Sequence, residues 1–178
     1  MRKRLLLSIY FLLVVSILGC GYTTRGFLNP DYKSIFVKPV LNKLTFTKET
    51  QEYRDFRSIP PLLEDSFTKA LISRFNLDGN LRVDREETAD LILETEITDF
   101  LRETLRYTDQ DRVQEYRLKI YFTYKLYDKN NNLIRKKSLV SDTTYTLEGK
   151  FAESEDSAIS DLLDDAARRI VEDIVEEW

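Results

Sequence analysis

Apolar residues recur at every second position in two stretches of the chain, and this spacing predicts strands of an antiparallel sheet. In the stretch 91–98, the residues predicted to share one face are Leu91, Leu93, Thr95 and Ile97, and Glu94, Glu96 and Thr98 lie on the other. The alternation is longest from 115 to 128, where the residues predicted to share one face are Tyr116, Leu118, Ile120, Phe122, Tyr124 and Leu126. Such a period is typical of strands with one buried and one wet face. Two further segments, 33–40 and 133–147, are predicted to be the first and last strands.

Two other segments place apolar residues three and four positions apart, which predicts amphipathic helices. The first opens at Pro60 and Pro61, a position where proline is tolerated, and ends near Gly79. Its apolar stripe consists of Leu63, Phe67, Ala70, Leu71 and Phe75. The second starts at Ser154, and its stripe consists of Ile159, Leu162, Leu163, Ala166, Ile170, Ile174 and Trp178.

The predicted order β-α-β-β-β-α indicates an α+β fold. We expect a two-layer sandwich: a mixed, mostly antiparallel sheet with two helices packed on one face. A right-handed crossover makes the first strand parallel to the strand that begins at Leu91. We expect a long loop at 41–59, a hairpin tip at 106–113 and a strand-to-helix loop at 147–153 to share one end. The turns at Asn130 and Gly79 then lie at the other end, with the N-terminus.

The N-terminal segment has the features of a targeting signal. Positive residues 2–4 precede an apolar run that ends at Leu18, and this run is shorter than the about 20 residues that a spanning helix needs. The residues Ile-Leu-Gly-Cys at 17–20 resemble the bacterial lipobox. We expect 1–19 to be a signal peptide, 20–33 a tether with N-acyl and diacylglycerol lipid on Cys20, and 34–178 a single domain. The alternatives are a plain signal peptide with an incidental cysteine, or an uncleaved anchor.

Composition argues against several classes of function. The chain has no histidine, one cysteine and five glycines, which leaves no histidine-based nucleophilic or metal site and no Gly-rich phosphate loop. The net charge is −4 and becomes more negative once the signal is removed, so we expect no nucleic-acid partner. The acidic residues Asp161, Asp164 and Asp165 are interpreted as a solvated helix face. We therefore expect no enzyme, no metal, and no cofactor beyond the lipid on Cys20.

Several segments, in order along nearly the whole chain, resemble the lipopolysaccharide-assembly lipoprotein (LptE) family. They are GCGYTTRG, SIFVKPVLNKL, LLEDSFTKALISRF, ADLILETEI, VQEYRLKIYFTYKLYD and the terminal SEDSAI…RRIVEDIVEEW. One departure is 43–55, which is longer and more polar than the turn usual in the family. The resemblance implies a plug inside an outer-membrane β-barrel of the LptD type that inserts lipopolysaccharide (LPS), helps that barrel to assemble, and binds LPS.

The resemblance also directs attention to particular residues. The family's basic lipid-binding residues lie in the hairpin tip and the loop before the last helix, which makes Arg106, Arg112 and Lys150 the LPS-binding candidates. A rival basic cluster is 135–137, whose alternative interpretation is a charged edge strand. The barrel lumen is polar, and the polar face of the long strand offers the partner-contact candidates Tyr121, Thr123, Lys125 and Tyr127.

Together these features predict a lipid-anchored protein on the periplasmic side of the outer membrane, placed there by Gly21 after Cys20 if the enterobacterial sorting rule applies. A second hypothesis is an outer-membrane lipoprotein that activates a peptidoglycan synthase or serves an ABC-type lipid transporter. Similar small domains occur in both settings, and co-purifying partners would distinguish them.

Overall fold

The computed structural model describes residues 32–44 and 59–175. The predicted signal peptide, Cys20, most of the tether, most of the 41–59 loop and Trp178 lie outside these residues. The elements in chain order are β1 Ser34–Val37, β2 Leu41–Asn42, α1 Leu63–Asp78, β3 Arg82–Val83, β4 Leu91–Tyr107, β5 Val113–Asp128, β6 Leu133–Thr146 and α2 Glu155–Val175.

The strands form one mixed sheet in the order β3-β1-β4-β5-β6, and β2 also pairs with β4. β1 runs parallel to β4, as the crossover rule predicts, with Ile35 opposite Leu91. β4, β5 and β6 form an antiparallel meander. The carboxylate of Asp90 accepts hydrogen bonds from the backbone nitrogens of Lys33 and Ser34 at 2.9 and 3.1 Å, which ties β1 to the start of β4.

The core lies between the sheet and the two helices. All predicted inward residues of β5 except the half-buried Tyr116 are buried. They meet the apolar stripe of α1, where the rings of Phe67 and Phe122 pack edge to face at 5.4 Å, and the stripe of α2. Arg74 and Glu172 form an ion pair between the helices at 3.7 Å. The predicted α+β sandwich with two helices on one face is confirmed.

The structure corrects several predicted boundaries. Two short strands, β2 and β3, were not predicted, because a strand of two residues has no readable period. The 41–59 loop therefore starts with a strand paired to β4. The first helix begins at Leu63 and not at the prolines, because Leu62 before it adopts a left-handed φ of 56°. β4 extends ten residues beyond Ile97, past a bulge that interrupts the alternation.

Candidate functional site

The two long strands β4 and β5 continue past the helix layer and form a projecting hairpin. The first turn of α2 meets the sheet at Arg102, whose guanidinium donates to the Glu155 carboxylate at 3.0 Å. Beyond this point β4 continues to Tyr107, and after the turn β5 begins at Val113. The loop 147–153 joins the hairpin, because the backbone nitrogen of Leu147 donates to the carbonyl of Gln114 at 2.9 Å. We call the residues 105–113 and 147–153 the hairpin end.

A cluster of side chains joins the hairpin end to the helix layer. The Arg102 guanidinium lies 5.2 Å from the centre of the Tyr116 ring, which in turn packs 5.6 Å from the ring of Tyr145. Burial, together with the charge of Glu155, raises the pKa of the Tyr145 phenol to about 12. The phenol therefore stays neutral, and the cluster holds the start of α2 and the base of the hairpin together.

The three LPS-binding candidates all lie at the hairpin end, as predicted. Arg106 of β4 forms an ion pair with Glu115 at 3.5 Å, and Arg112 in the tip forms one with Glu148 at 3.5 Å. The ammonium of Lys150 lies 5.8 Å from the ring centre of its neighbour Phe151. Within the described residues Lys150 makes no ion pair, so it is the candidate with the most available charge.

Exposed apolar side chains accompany these basic residues, and the sequence analysis did not identify them. Phe151 is 82% exposed and Tyr107 is 58% exposed. Leu105 and Leu147 are also exposed large apolar residues. Adjacent cationic and apolar groups match the chemistry of an anionic amphiphile. The sequence did contain a signal for this exposed surface. The aromatic residue of the polar loop EGKF belongs neither to the alternation of a strand nor to the apolar stripe of a helix.

The partner-contact candidates lie on the sheet face that points away from both helices, which we call the open face. Tyr121 is exposed, and Tyr127 is half-buried. The hydroxyl groups of Thr123 and Ser138 form a hydrogen bond of 2.8 Å, and Lys125 forms an ion pair with Glu96 at 3.2 Å. The hydrogen bond that the Lys125 ammonium donates to Glu96 raises the pKa of that ammonium, so its charge is maintained. The open face therefore presents ordered polar and aromatic groups.

The rival basic cluster is divided between the two faces of β6. The side chains of Arg135 and Lys137 turn to α2, where both contact Asp173. Lys136 turns to the open face, opposite Lys125 on β5. Because the three charges do not converge, they form no single anion site. The alternative interpretation as a charged edge strand agrees with the position of β6 at the sheet edge.

The acidic residues of α2 do not all form a solvated face. Asp161 and Asp164 are exposed, but Asp165 turns to β6 and accepts a hydrogen bond of 2.5 Å from Ser141, which is fully buried. Burial favours a higher pKa for the Asp165 carboxyl, but hydrogen bonds from Ser141 and Arg169 outweigh it and lower the pKa. The expectation for Asp165 was wrong because the helical period alone did not show that β6 lies over this position.

Across 32–44 and 59–175, no group of three or more acidic, histidine or cysteine side chains could hold a metal ion. Neither helix in those ranges combines the length and apolar character that a membrane crossing requires.

Solved structures with a similar fold include three bacterial proteins. A hypothetical protein of Chlamydia trachomatis is 13% identical, with a TM-score of 0.51, covering 81% of this chain and 98% of that chain. Uncharacterized lipoprotein B of Nitrosomonas europaea is 16% identical, with a TM-score of 0.49 and coverage of 87% and 90%. Rare lipoprotein B of Shewanella oneidensis is 12% identical, with a TM-score of 0.44 and coverage of 78% and 92%. At 13% identity and a TM-score of 0.51, the likeness to the Chlamydia trachomatis protein is one of fold alone.

The sequence itself supplies the stronger comparison. No curated protein matched it. The family model of LptE, described as lipopolysaccharide-assembly, matches residues 45–177. Proteins of this family serve lipopolysaccharide assembly and are not enzymes. The match spans both helices and the long meander, and we conclude that this chain belongs to the LptE family of lipopolysaccharide-assembly lipoproteins.

Proposed function

We propose that this chain is the lipid-anchored subunit of an outer-membrane LPS translocon. In this proposal residues 1–19 are removed as a signal peptide, and lipid on Cys20 holds the domain 34–178 on the periplasmic side of the outer membrane. The domain sits as a plug in a barrel of the LptD type, assists the assembly of that barrel, and binds LPS during insertion. Family membership supports the general role.

The observation that carries LPS binding is the composition of the hairpin end. Lys150 provides an ammonium group without a carboxylate partner among the described residues, directly beside the exposed ring of Phe151. Arg106 and Arg112 add two guanidinium groups that are themselves exposed, so a phosphate can reach them. LPS combines phosphates with acyl chains, so one ligand could use both kinds of group.

The open face supports the barrel contact. Several of its charged residues form ion pairs, for example Lys119 with Glu103 at 2.9 Å, so these charges are already neutralised when the face enters a polar lumen. Tyr121 adds an exposed aromatic group of the kind that is enriched at interfaces.

The first test is to replace Lys150 by glutamate and measure the affinity of the full chain for LPS. A charge-assisted contact to phosphate contributes about 1.5–3 kcal/mol, so we expect binding to weaken by about tenfold or more. Lys129→Glu makes the same charge change at an exposed position at the opposite end of the sheet and is the matched control. Unchanged affinity in Lys150→Glu, or an equal loss in the control, would contradict binding at the hairpin end.

A comparison of two ligands distinguishes recognition of the phosphates from recognition of the acyl chains. Intact lipid A and its dephosphorylated form share the same acyl chains. If Lys150, Arg106 and Arg112 contact phosphate, the triple glutamine variant will lose affinity for intact lipid A but not for the dephosphorylated form. Equal loss for both would show that these residues do not recognise phosphate.

A further inference from the structure

β6 is a long strand at an open edge of the sheet. It spans Leu133–Thr146, 14 residues, and is the last strand in the sheet order. Within the described ranges, β5 is the only strand that pairs with it. Open edges of this length are usually protected by proline, bulges or charge. The one irregularity in its pairing lies near Leu133, and the strand contains no proline. Of the basic residues 135–137, Arg135 and Lys137 contact Asp173 of α2, so only Lys136 carries its charge on the open face.

The hydrogen-bond pattern shows which residues of β6 have backbone N–H and C=O groups that do not bond to β5. Leu147 donates to Gln114 of the β5 side, and in an antiparallel pair every second residue bonds in the same direction. The even-numbered residues of β6 therefore direct N–H and C=O groups away from β5. The carbonyl of Thr146 agrees with this, because it accepts a hydrogen bond of 2.9 Å from Glu153 on the outer side. Lys136, Ser138, Val140 and Asp142 are the corresponding residues along the middle of the strand.

The side chains of these four residues lie on the open face and are exposed. Val140 is 42% exposed, although it is a β-branched residue in the centre of the edge. Lys136 lies opposite Lys125 on β5, a like charge, and makes no ion pair within the described part of the chain. Asp142 forms a long ion pair with Arg117, at 3.8 Å.

The charges are arranged symmetrically about Leu139. If a second copy pairs antiparallel with β6, with the two Leu139 residues opposite each other, Ser138 faces Val140 of the second copy. Lys136 then faces Asp142 of the second copy, and the same ion pair forms again by symmetry. In this register, the backbone N–H and C=O groups that point away from β5 in one copy face the same groups of the second copy. Because oppositely charged cross-strand neighbours stabilise a sheet and like charges destabilise it, the pattern favours a second copy in this register.

We propose that β6 is a self-association edge through which two copies of this chain form a continuous sheet, centred on Leu139. The two-fold axis is perpendicular to the sheet, so both helix layers lie on one side and both open faces lie on the other. Edge pairing alone buries less surface than a standard protein interface. The dimer is therefore weak and concentration-dependent, a property of the lipoprotein away from its barrel.

Disulfide cross-linking tests the register. Full-length Ser138→Cys and Val140→Cys chains are purified in mild detergent under reducing conditions, and each chain alone and an equimolar mixture of the two are then oxidised in parallel. The proposed register places these positions directly opposite, within the distance that a disulfide spans, so the mixture will cross-link at least several-fold more than either chain alone. The parent chain, whose one cysteine is Cys20, is the control for background. Equal cross-linking in all samples, or none in the mixture, would overturn the proposal.

Charge exchange provides a second readout that does not depend on cysteine chemistry. Lys136→Asp places Asp against Asp, and Asp142→Lys places Lys against Lys, so each will weaken dimerisation by about tenfold, as expected for two reversed cross-strand pairs. The double variant restores both pairs and will dimerise like the parent in sedimentation velocity. Circular dichroism verifies that each variant is folded. A parent chain that stays monomeric at the highest concentration, or a double variant without rescue, would reject the edge.

These experiments need neither LPS nor a barrel. Their failure would leave the proposed function intact, and failure of LPS binding in the Lys150 variant would leave the self-association edge intact.

Discussion

At the residue scale, Asp173 stands out because three side chains of the sheet converge on it. The Tyr124 phenol donates to its carboxylate, as does the Lys137 ammonium, and Arg135 lies 3.6 Å away. Burial favours a higher pKa for the Asp173 carboxyl, but the bonds from Lys137 and Tyr124 outweigh it and lower the pKa. Burial and the same carboxylate raise the pKa of the Tyr124 phenol. Asp173 therefore fixes the last turns of α2 to β5 and β6.

We predict that Asp173→Asn lowers the free energy of unfolding at pH 7 by about 1–3 kcal/mol, because the buried Tyr124 phenol and the neighbouring cations lose their charged acceptor. A carboxyl with a lowered folded-state pKa stabilises the fold above its unfolded pKa of about 4. That contribution is lost as pH falls through the folded-state value. The variant will therefore lose less stability than the parent between neutral and acid pH.

Urea unfolding at several pH values measures both effects. Asp161→Asn, an exposed carboxylate of the same helix, is the control and will behave like the parent. A variant with parental stability at pH 7, or with the parental acid dependence, would show that Asp173 has no such role.

At the scale of elements, the ends of α1 depend on two left-handed residues. Leu62 precedes the helix with a φ of 56° and no side-chain cap. Gly79 follows it with a φ of 76°, and its nitrogen donates to the carbonyl of Phe75. Such a C-terminal glycine satisfies an orphan carbonyl of the last turn and directs the chain into β3. The helix ends were only partly predictable from the sequence, because glycine often adopts the left-handed conformation and leucine rarely does.

We predict that Gly79→Ala destabilises the domain by about 1 kcal/mol, because a Cβ raises the energy of the left-handed conformation. A Cβ at this position would meet no atom within 4 Å, so the effect comes from the backbone alone. Asparagine tolerates the conformation better, and Gly79→Asn will cost less than Gly79→Ala. Chemical denaturation midpoints of the three proteins test this order. Equal midpoints for alanine and glycine would refute the backbone explanation.

At the scale of the whole molecule, the two faces of the sheet have different roles. One face is covered by α1 and α2 and supplies the core. The other is open along β4, β5 and β6 and carries ordered polar groups. An antiparallel sheet can have one face in water, so the open face of the described residues is suited to receive a partner.

We predict that Tyr121→Ala reduces the amount of β-barrel that co-purifies with the tagged full-length chain from native membranes in mild detergent. Tyrosine at the centre of an interface often contributes about 2 kcal/mol or more, so the expected loss is clear on a stained gel. Lys69→Ala, an exposed position on α1, is the control and will retain the barrel. Retention by Tyr121→Ala, or co-purification of a peptidoglycan synthase or a transporter instead of a barrel, would contradict the proposed partner.

Much of the fold was readable because its physical cause is local. Alternation in β5 and helical spacing in α1 and α2 each depend on near neighbours, and the predicted inward residues Leu118, Ile120 and Phe122 are buried. A bulge, however, interrupts the alternation along a strand. In β4 the bulge after Ile97 moves Phe100 to the core face, so the outer half of that strand was not predicted.

The sequence by itself determined the order of the longer elements, the core stripes, the two faces of the sheet and the family. Only the tertiary structure decided how charged groups separated by many residues combine. It divided residues 135–137 between two faces, turned Asp165 to β6, and paired Arg112 with Glu148 at the hairpin end. The reason is physical: periodicity reports which side of an element is buried, whereas an ion pair depends on which elements become neighbours.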